Sequence, residues 1–242
     1  HATGAELDEL YRQWRGAVQE QYAGGAEGRS RYPVWSRENM QVGPAVAPDG
    51  RRAVFFSERD RLSLDLFLAD LRTGKVIRQL ATTVASAKLD SLQPLRSAGA
   101  WSPDGHQFAF AAVKQGRASL FLVDVDGGAA DREIVFPSVG QVLSLTWSPD
   151  GRSIAFAAIA GGWTDLYVTD VTSGALRQLT DDAVADWQPA WSHDGRRLAF
   201  VTERFSSDLA TLRIGTPRIA ILELGTNEMR PVEAAATTPQ LN

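Results

Sequence analysis

Cysteine is missing altogether from this 242-residue chain. Disulfides and thiolate chemistry are therefore excluded, although the compartment stays open because oxidising environments also hold cysteine-free proteins. Histidine is nearly as scarce, with His1, His106 and His193 the full set. A His/Cys metal cluster cannot be built from these, and His106 and His193 sit at Asp-Gly pairs, where surface turns belong. No apolar stretch approaches the roughly 18 residues of a membrane-spanning helix. A basic excess is lacking too: the formal net charge is −4 with 22% charged residues, which argues against a reader of nucleic-acid phosphates and against a polybasic membrane patch. There is no Gly-x-Ser-x-Gly elbow, Walker loop, Gly-x-Gly-x-x-Gly or His-Glu-x-x-His, so no catalytic residue, metal ligand or cofactor is assigned. No leader segment is visible, and His1 in place of Met sets the expectation that the natural N-terminus lies upstream.

What the chain does have is a phrase repeated four times: Ala47-Pro48-Asp49-Gly50, Trp101-Ser102-Pro103-Asp104-Gly105, Trp147-Ser148-Pro149-Asp150-Gly151 and Trp191-Ser192-His193-Asp194-Gly195. The glycines lie 55, 46 and 44 residues apart, the period of a four-stranded propeller blade. Each copy continues into a short apolar run, a polar loop, a second run ending in an acid (Asp70, Asp124, Asp170, Glu223) and a glycine turn. Asp-Gly accommodates the positive φ of a tight hairpin, and proline one position earlier interrupts a strand ladder. The runs, rich in Val, Ile, Leu and Phe, are too short for helices and apolar enough for strands covered on both faces. The tryptophan before each turn reads as packing between adjacent sheets. The fold class is thus all-β: a β-propeller with about four four-stranded blades visible.

Both ends depart from the repeat. Thr3 and Glu6 have capping-box spacing, and Leu7, Leu10, Tyr11, Trp14, Ala17 and Val18 recur at helical intervals before Gly24-Gly25, which predicts one amphipathic α-helix. Residues 1–31 are read as helix plus linker, the tail of an upstream domain, with packing on the propeller as the alternative. Residues 32–242 are read as the blades. Met229 to Val232 would be the last outer strand, after which an inner strand should begin. The expectation is an arc of a six- to eight-bladed ring, the alternative being closure of four copies into a small ring.

The blades Trp-Ser-Pro-Asp-Gly-Arg-x-Ile/Leu-Ala-Phe followed by Asp-Leu-Tyr-Val-x-Asp resemble the TolB-like (WD40-like) β-propeller repeat from about Val42 to Val232. They are related to the propellers that cap prolyl-oligopeptidase-type peptidases. With Glu6-Leu-Asp-Glu-Leu-Tyr-Arg-Gln-Trp14 added, the chain looks like bacterial envelope proteins in which a gluzincin-type metallopeptidase-like domain precedes such a propeller. The resemblance implies a non-catalytic scaffold or binding module for protein or peptide partners, located in the periplasm or cell envelope within a larger polypeptide. The alternatives are a propeller that gates or positions substrate for a peptidase domain outside these residues, and a free-standing periplasmic interaction protein. Neighbouring domains of the same polypeptide are further expected partners.

Loops between second and third strands, and the connections between blades, share one end of a propeller and vary most here, which is where specificity resides on a repeated scaffold. That end holds Arg59, Arg61, Lys114, Arg117, Trp163, Trp187, Arg204 and Asp208, a mixture of aromatic and charged residues that includes hot-spot types. These are the candidate partner-binding residues. Trp163 and Trp187 have packing as their alternative role. Asp181, Asp182 and Asp186 lack the order of a calcium loop and read as a solvated connection between blades.

Overall fold

The repeated turn organises itself before any sheet forms. A computed structural model describes residues 41–60, 63–82, 91–92, 99–127, 130–208 and 210–233; the expected N-terminal helix and linker lie outside them. Gly50, Gly105, Gly151 and Gly195 take φ of 68° to 73°, a left-handed conformation in which a Cβ is strained. In each turn the glycine amide donates to the carbonyl three residues back, as from Gly105 to Ser102 at 2.9 Å. Of the Asp-Gly pair, then, only the glycine is left-handed. The aspartate works through its carboxylate: Ser102 Oγ donates to Asp104 Oδ1 at 2.6 Å, and the same oxygen accepts the His106 amide at 3.0 Å. Ser148 with Asp150 and Ser192 with Asp194 repeat this at 2.6 and 2.5 Å.

These turns join strands into four antiparallel blades. The first is β1 (Gln41–Val46), β2 (Arg52–Asp60), β3 (Ser63–Asp70) and β4 (Lys75–Ala81). In the second, β5 (Ser91–Leu92) and β6 (Ala100–Trp101) both pair with β7 (Gln107–Lys114), followed by β8 (Arg117–Asp124) and β9 (Ala130–Val135). The third is β10 (Gln141–Trp147), β11 (Ser153–Ala160), β12 (Trp163–Asp170) and β13 (Leu176–Gln178). The fourth is β14 (Asp186–Trp191), β15 (Arg197–Thr202), β16 (Arg218–Glu223) and β17 (Met229–Pro231), so the last outer strand falls where the repeat put it. Three inner strands break register at one place, between Val42 and Ala45, Leu143 and Thr146, and Trp187 and Ala190. Gly43, Ser144 and Gln188 occupy the bulge with φ of 61°, 48° and 55°, bending the strand as bulges do.

Successive blades pack face to face. Val54, Phe56, Leu66 and Leu68 of the first meet Phe108, Phe110 and Phe121 of the second. Ala109, Ala111, Leu120 and Leu122 on the second blade's other face meet Ile154, Phe156 and Tyr167 of the third. Ala155, Ala157, Leu166 and Val168 then meet Leu198 and Phe200 of the fourth. Fully burying one such Phe or Leu contributes about 2 kcal/mol. The alternation is that of strands with both faces covered.

Polar bonds fasten each interface. Trp101 Nε1 donates to the Ala45 carbonyl at 2.9 Å, Trp147 Nε1 to Ala100 at 3.0 Å and Trp191 Nε1 to Thr146 at 3.2 Å. Each of these three indoles thus reaches back to the preceding blade, at the residue just before that blade's own Trp position. Arginines reach forward: Arg52 Nη2 donates to the Gly105 carbonyl at 2.9 Å, and Arg78 donates to the carbonyls of Asp124 and Val125.

Candidate functional site

The two ends of the blades differ in kind. One carries the first-to-second and third-to-fourth strand turns, and these are closed on themselves. Besides the Ser-Pro-Asp-Gly turns, the aspartates that end the third strands of the first three blades cap their own turns. Asp170 Oδ1 accepts the amides of Thr172 and Ser173 at 3.0 and 2.6 Å, and Asp124 Oδ1 those of Asp126 and Gly127 at 2.8 and 2.9 Å. These bonds hold the carboxyls below their ordinary value, the bond from Ser173 being foremost for Asp170 and that from Gly127 for Asp124. Asp70, Asp124 and Asp170, three of the four acids noted in the sequence, therefore hold their own turns.

The other end carries the second-to-third strand loops, the inter-blade connections and most of the expected site residues. Gln115-Gly116 and Gly161-Gly162 form two-residue turns with positive φ at both positions, the hairpin geometry that matches strand twist. Lys114 and Arg117 flank the first turn in register, and Ala160 and Trp163 the second. Arg117 is exposed, and Trp163 is 49% exposed, a large apolar surface held on a short rigid hairpin. Lys114 is tied instead to Glu133, which also accepts from Ser119 Oγ at 3.1 Å. Trp187 is half-buried against the core between the third and fourth blades. Arg59 lies in β2, and Arg61 falls outside the described residues.

Arg204 and Asp208 belong to the loop between β15 and β16, residues 203–217. Arg204 is not a loose cation: its guanidinium pairs with Asp182, and its Nη2 donates to Asp186 Oδ2 at 2.6 Å. Asp186, expected on a solvated connection, is fully buried, because it opens β14 beneath the Arg204 loop and opposite Thr202. Burial pushes its carboxyl above the ordinary value, opposed by hydrogen bonding to Thr202 and the Arg204 charge. Asp165 is also buried and raised, chiefly by desolvation; it accepts from Thr180 Oγ1 at 3.3 Å and feels the charge of Asp186. This network closes the seam between third and fourth blades. Sequence reading missed it because the ion-pair partners are 18 and 22 residues apart.

Asp208 caps its own loop. Its Oδ1 accepts the Ala210 amide at 3.0 Å, and its backbone exchanges hydrogen bonds with Arg213 at 2.8 and 2.9 Å. Hydrogen bonds from Thr211 hold the Asp208 carboxyl below its ordinary value. The loop is further fixed by Ser206 Oγ donating to the Thr216 carbonyl at 2.7 Å, and it presents Leu212 and Ile214 at 86% and 76% exposure. Among the described residues, the exposed side chains at this end thus include Arg117, Trp163, Asp208, Leu212 and Ile214, the last two unforeseen. A groove of about 1080 Å³ lies at the opposite end of the fourth blade, lined by Gly195, Arg196, Glu223 to Thr226 and Glu228 to Arg230.

Comparison with known proteins places this geometry. A family model described as the TolB beta propeller domain matches residues 89–232. A protein assigned as TolB from Agrobacterium tumefaciens superposes with a TM-score of 0.60 at 21% identity, over 82% of this chain and 63% of that one. TolB from Acinetobacter baumannii gives 0.56 at 20% identity, over 80% of this chain and 43% of the other. A prolyl endopeptidase, from a study of two such enzymes and their inter-domain dynamics, gives 0.56 at 14% identity, over 81% and 29%. At these identities the likeness is one of fold, and the chain spans under two thirds of each structure's length.

Proposed function

We propose, for a chain that belongs to the TolB β-propeller domain family, that the blades are a non-catalytic scaffold that binds a protein or peptide through the loop-bearing end. The observation that carries this reading is Trp163, half exposed on the Gly161-Gly162 hairpin, with Arg117 exposed on the corresponding hairpin of the neighbouring blade. Aromatic and arginine side chains on rigid turns lose little entropy on binding and form the usual anchors of an interface. Of the remaining expected residues, Lys114, Trp187, Arg204 and Asp208 hold the loops of this surface, and Arg59 and Arg61 are kept as expected partner contacts.

The test is selection of a random peptide library on the chain and on a Trp163→Ala/Arg117→Ala variant with an unchanged melting curve. Peptides enriched by the parent and lost on the variant support the site. The same peptides enriched by both would place binding elsewhere. By the same family likeness the protein works in the bacterial periplasm or envelope, within a larger polypeptide; a cytosolic signal on cell fractionation would overturn that.

The superposition on a prolyl endopeptidase favours a second reading, in which the blades position substrate for a catalytic domain outside these residues. Cleavage of a selected peptide by the natural polypeptide, with none by the 242-residue chain, would decide for it.

A further inference from the structure

Among the described residues, most acids at the loop-bearing end are engaged or buried within the chain. Lys114 holds Glu133, Arg204 holds Asp182 and Asp186, and Thr180 donates to Asp165. Asp65 is buried. Asp208 turns its Oδ1 to the amides of Ala210 and Thr211 at 3.0 and 3.4 Å. Glu58 and Glu203 are half-buried, and Asp181 is exposed in the connection between the third and fourth blades.

The arginines divide differently. Arg204 is held by its acids, whereas Arg117, Arg213 and Arg218 are all exposed. No ion pair or side-chain hydrogen bond engages any of these three among the described residues. Arg218 departs most clearly from the repeat. In register with Thr202, it takes the position of Asp65, Ser119 and Asp165 in the earlier blades, which are 5%, 1% and 4% exposed. A position that three blades fill with a buried acid or hydroxyl thus carries a solvated cation in the fourth. Residues 209–218 hold two arginines and no acid. Within them Arg213 stands between the exposed Leu212 and Ile214, on backbone fixed by its paired hydrogen bonds with Asp208.

We infer that the segment taken by this end, on the binding reading proposed above, is acidic: a peptide in which Asp or Glu is interspersed with aliphatic and aromatic residues. Its carboxylates meet the guanidinium groups of Arg117, Arg213 and Arg218, whose planar forks suit them. Its apolar side chains cover Trp163, Leu212 and Ile214. Charge matching of this kind selects the partner and speeds encounter more than it adds affinity. Asp181 repels a carboxylate laid on the connection between blades, which confines the partner's acids to the hairpins and the long loop. An anionic lipid surface fits less well, because the chain as a whole carries a formal charge of −4 and is repelled by a sheet of anions.

The peptide selection described above tests this when the recovered sequences are scored for charge. Peptides enriched on the chain should carry more Asp and Glu than the starting library, beside Leu, Ile or Phe. Their affinity should fall about tenfold on an Arg117→Gln/Arg213→Gln variant, and by a similar factor when sodium chloride is raised from about 0.05 M to about 0.5 M. The salt series needs no substitution, so it stands even where a variant folds poorly. An Arg117→Glu/Arg213→Glu/Arg218→Glu variant should enrich peptides rich in Lys and Arg instead. Peptides lost on Trp163→Ala/Arg117→Ala, yet no more acidic than the library and insensitive to salt, would overturn the inference and leave the binding end standing. Sedimentation of the chain with phosphatidylglycerol vesicles, with no acidic bias among the peptides, would overturn it as well. No enrichment of any peptide on the chain would remove both the inference and the reading beneath it.

Discussion

Side chains of the same type do different work here according to what they face. Arg117 meets solvent, while Arg204 neutralises Asp182 and the buried Asp186. Removing it leaves a buried carboxylate uncompensated, so Arg204→Ala should cost about 3 kcal/mol in urea unfolding. Adding Asp186→Asn should recover part of that loss, whereas a solvated connection of the kind first expected would show neither effect. Backbone conformation is equally position-specific. Gln188 and Ser144 hold left-handed φ without being glycine, at a cost of about 1 kcal/mol each. Gln188→Gly should therefore stabilise the chain by up to about 1 kcal/mol, read from the same denaturation curves. Gly99→Ala should do the reverse, because a Cβ there would lie 2.5 Å from the Ala109 carbonyl oxygen and the Phe108 ring. The glycine turns were legible in the sequence since Asp-Gly announces itself. The bulges were not, because neither Ser nor Gln carries a left-handed signal. Nor could the acidic connection be sorted into buried and solvated members, since that depends on which loop folds over it.

Turns are the elements that repeat most faithfully, and their carboxylates make them sensitive to acid. Asp104, Asp150 and Asp194 lie below the ordinary value of 3.8, foremost through the serine hydroxyl each accepts. Asp70 and Asp170 do so through bonds from Thr73 and Ser173. A carboxyl depressed on folding binds fewer protons folded than unfolded, so its stabilisation is present above pH 3.8 and is lost as pH falls below that. Asp165 and Asp186 act with opposite sign: raised by burial, they take up protons first in the folded state and favour it as pH drops toward 3.8. Asp150→Asn should thus be less stable than the parent near neutrality, with the difference shrinking as the medium is acidified below pH 4. A difference independent of pH would show that the Ser148 bond needs no charge. Strand order and blade boundaries were readable at this scale because the Trp-Ser-Pro-Asp-Gly phrase punctuates them. The Ser–Asp bond inside the phrase was not, since Asp-Gly already sufficed to explain a turn.

At the scale of the whole array, stability is a sum of blades and the seams between them. Trp147→Phe keeps most of the packing but removes one donor and leaves the Ala100 carbonyl unpaired, which should cost about 1–2 kcal/mol. Hydrogen exchange should quicken mainly in β6, β7, β10 and β11, with the first blade little changed; uniform acceleration would mean the array unfolds as one unit. The tryptophans were read from the sequence as inter-sheet packing, and they are. Their acceptors were invisible there, since a backbone carbonyl has no identity in a sequence. Because each indole donates backward to the blade before it, the seams have a direction. The first blade, with Val46 in place of Trp, receives an indole bond and has no indole at that position to give one. During synthesis, where N-terminal units fold first, every emerging blade would find its acceptor already in place. The array can then lengthen as a ratchet, each addition locked by the residue that starts it.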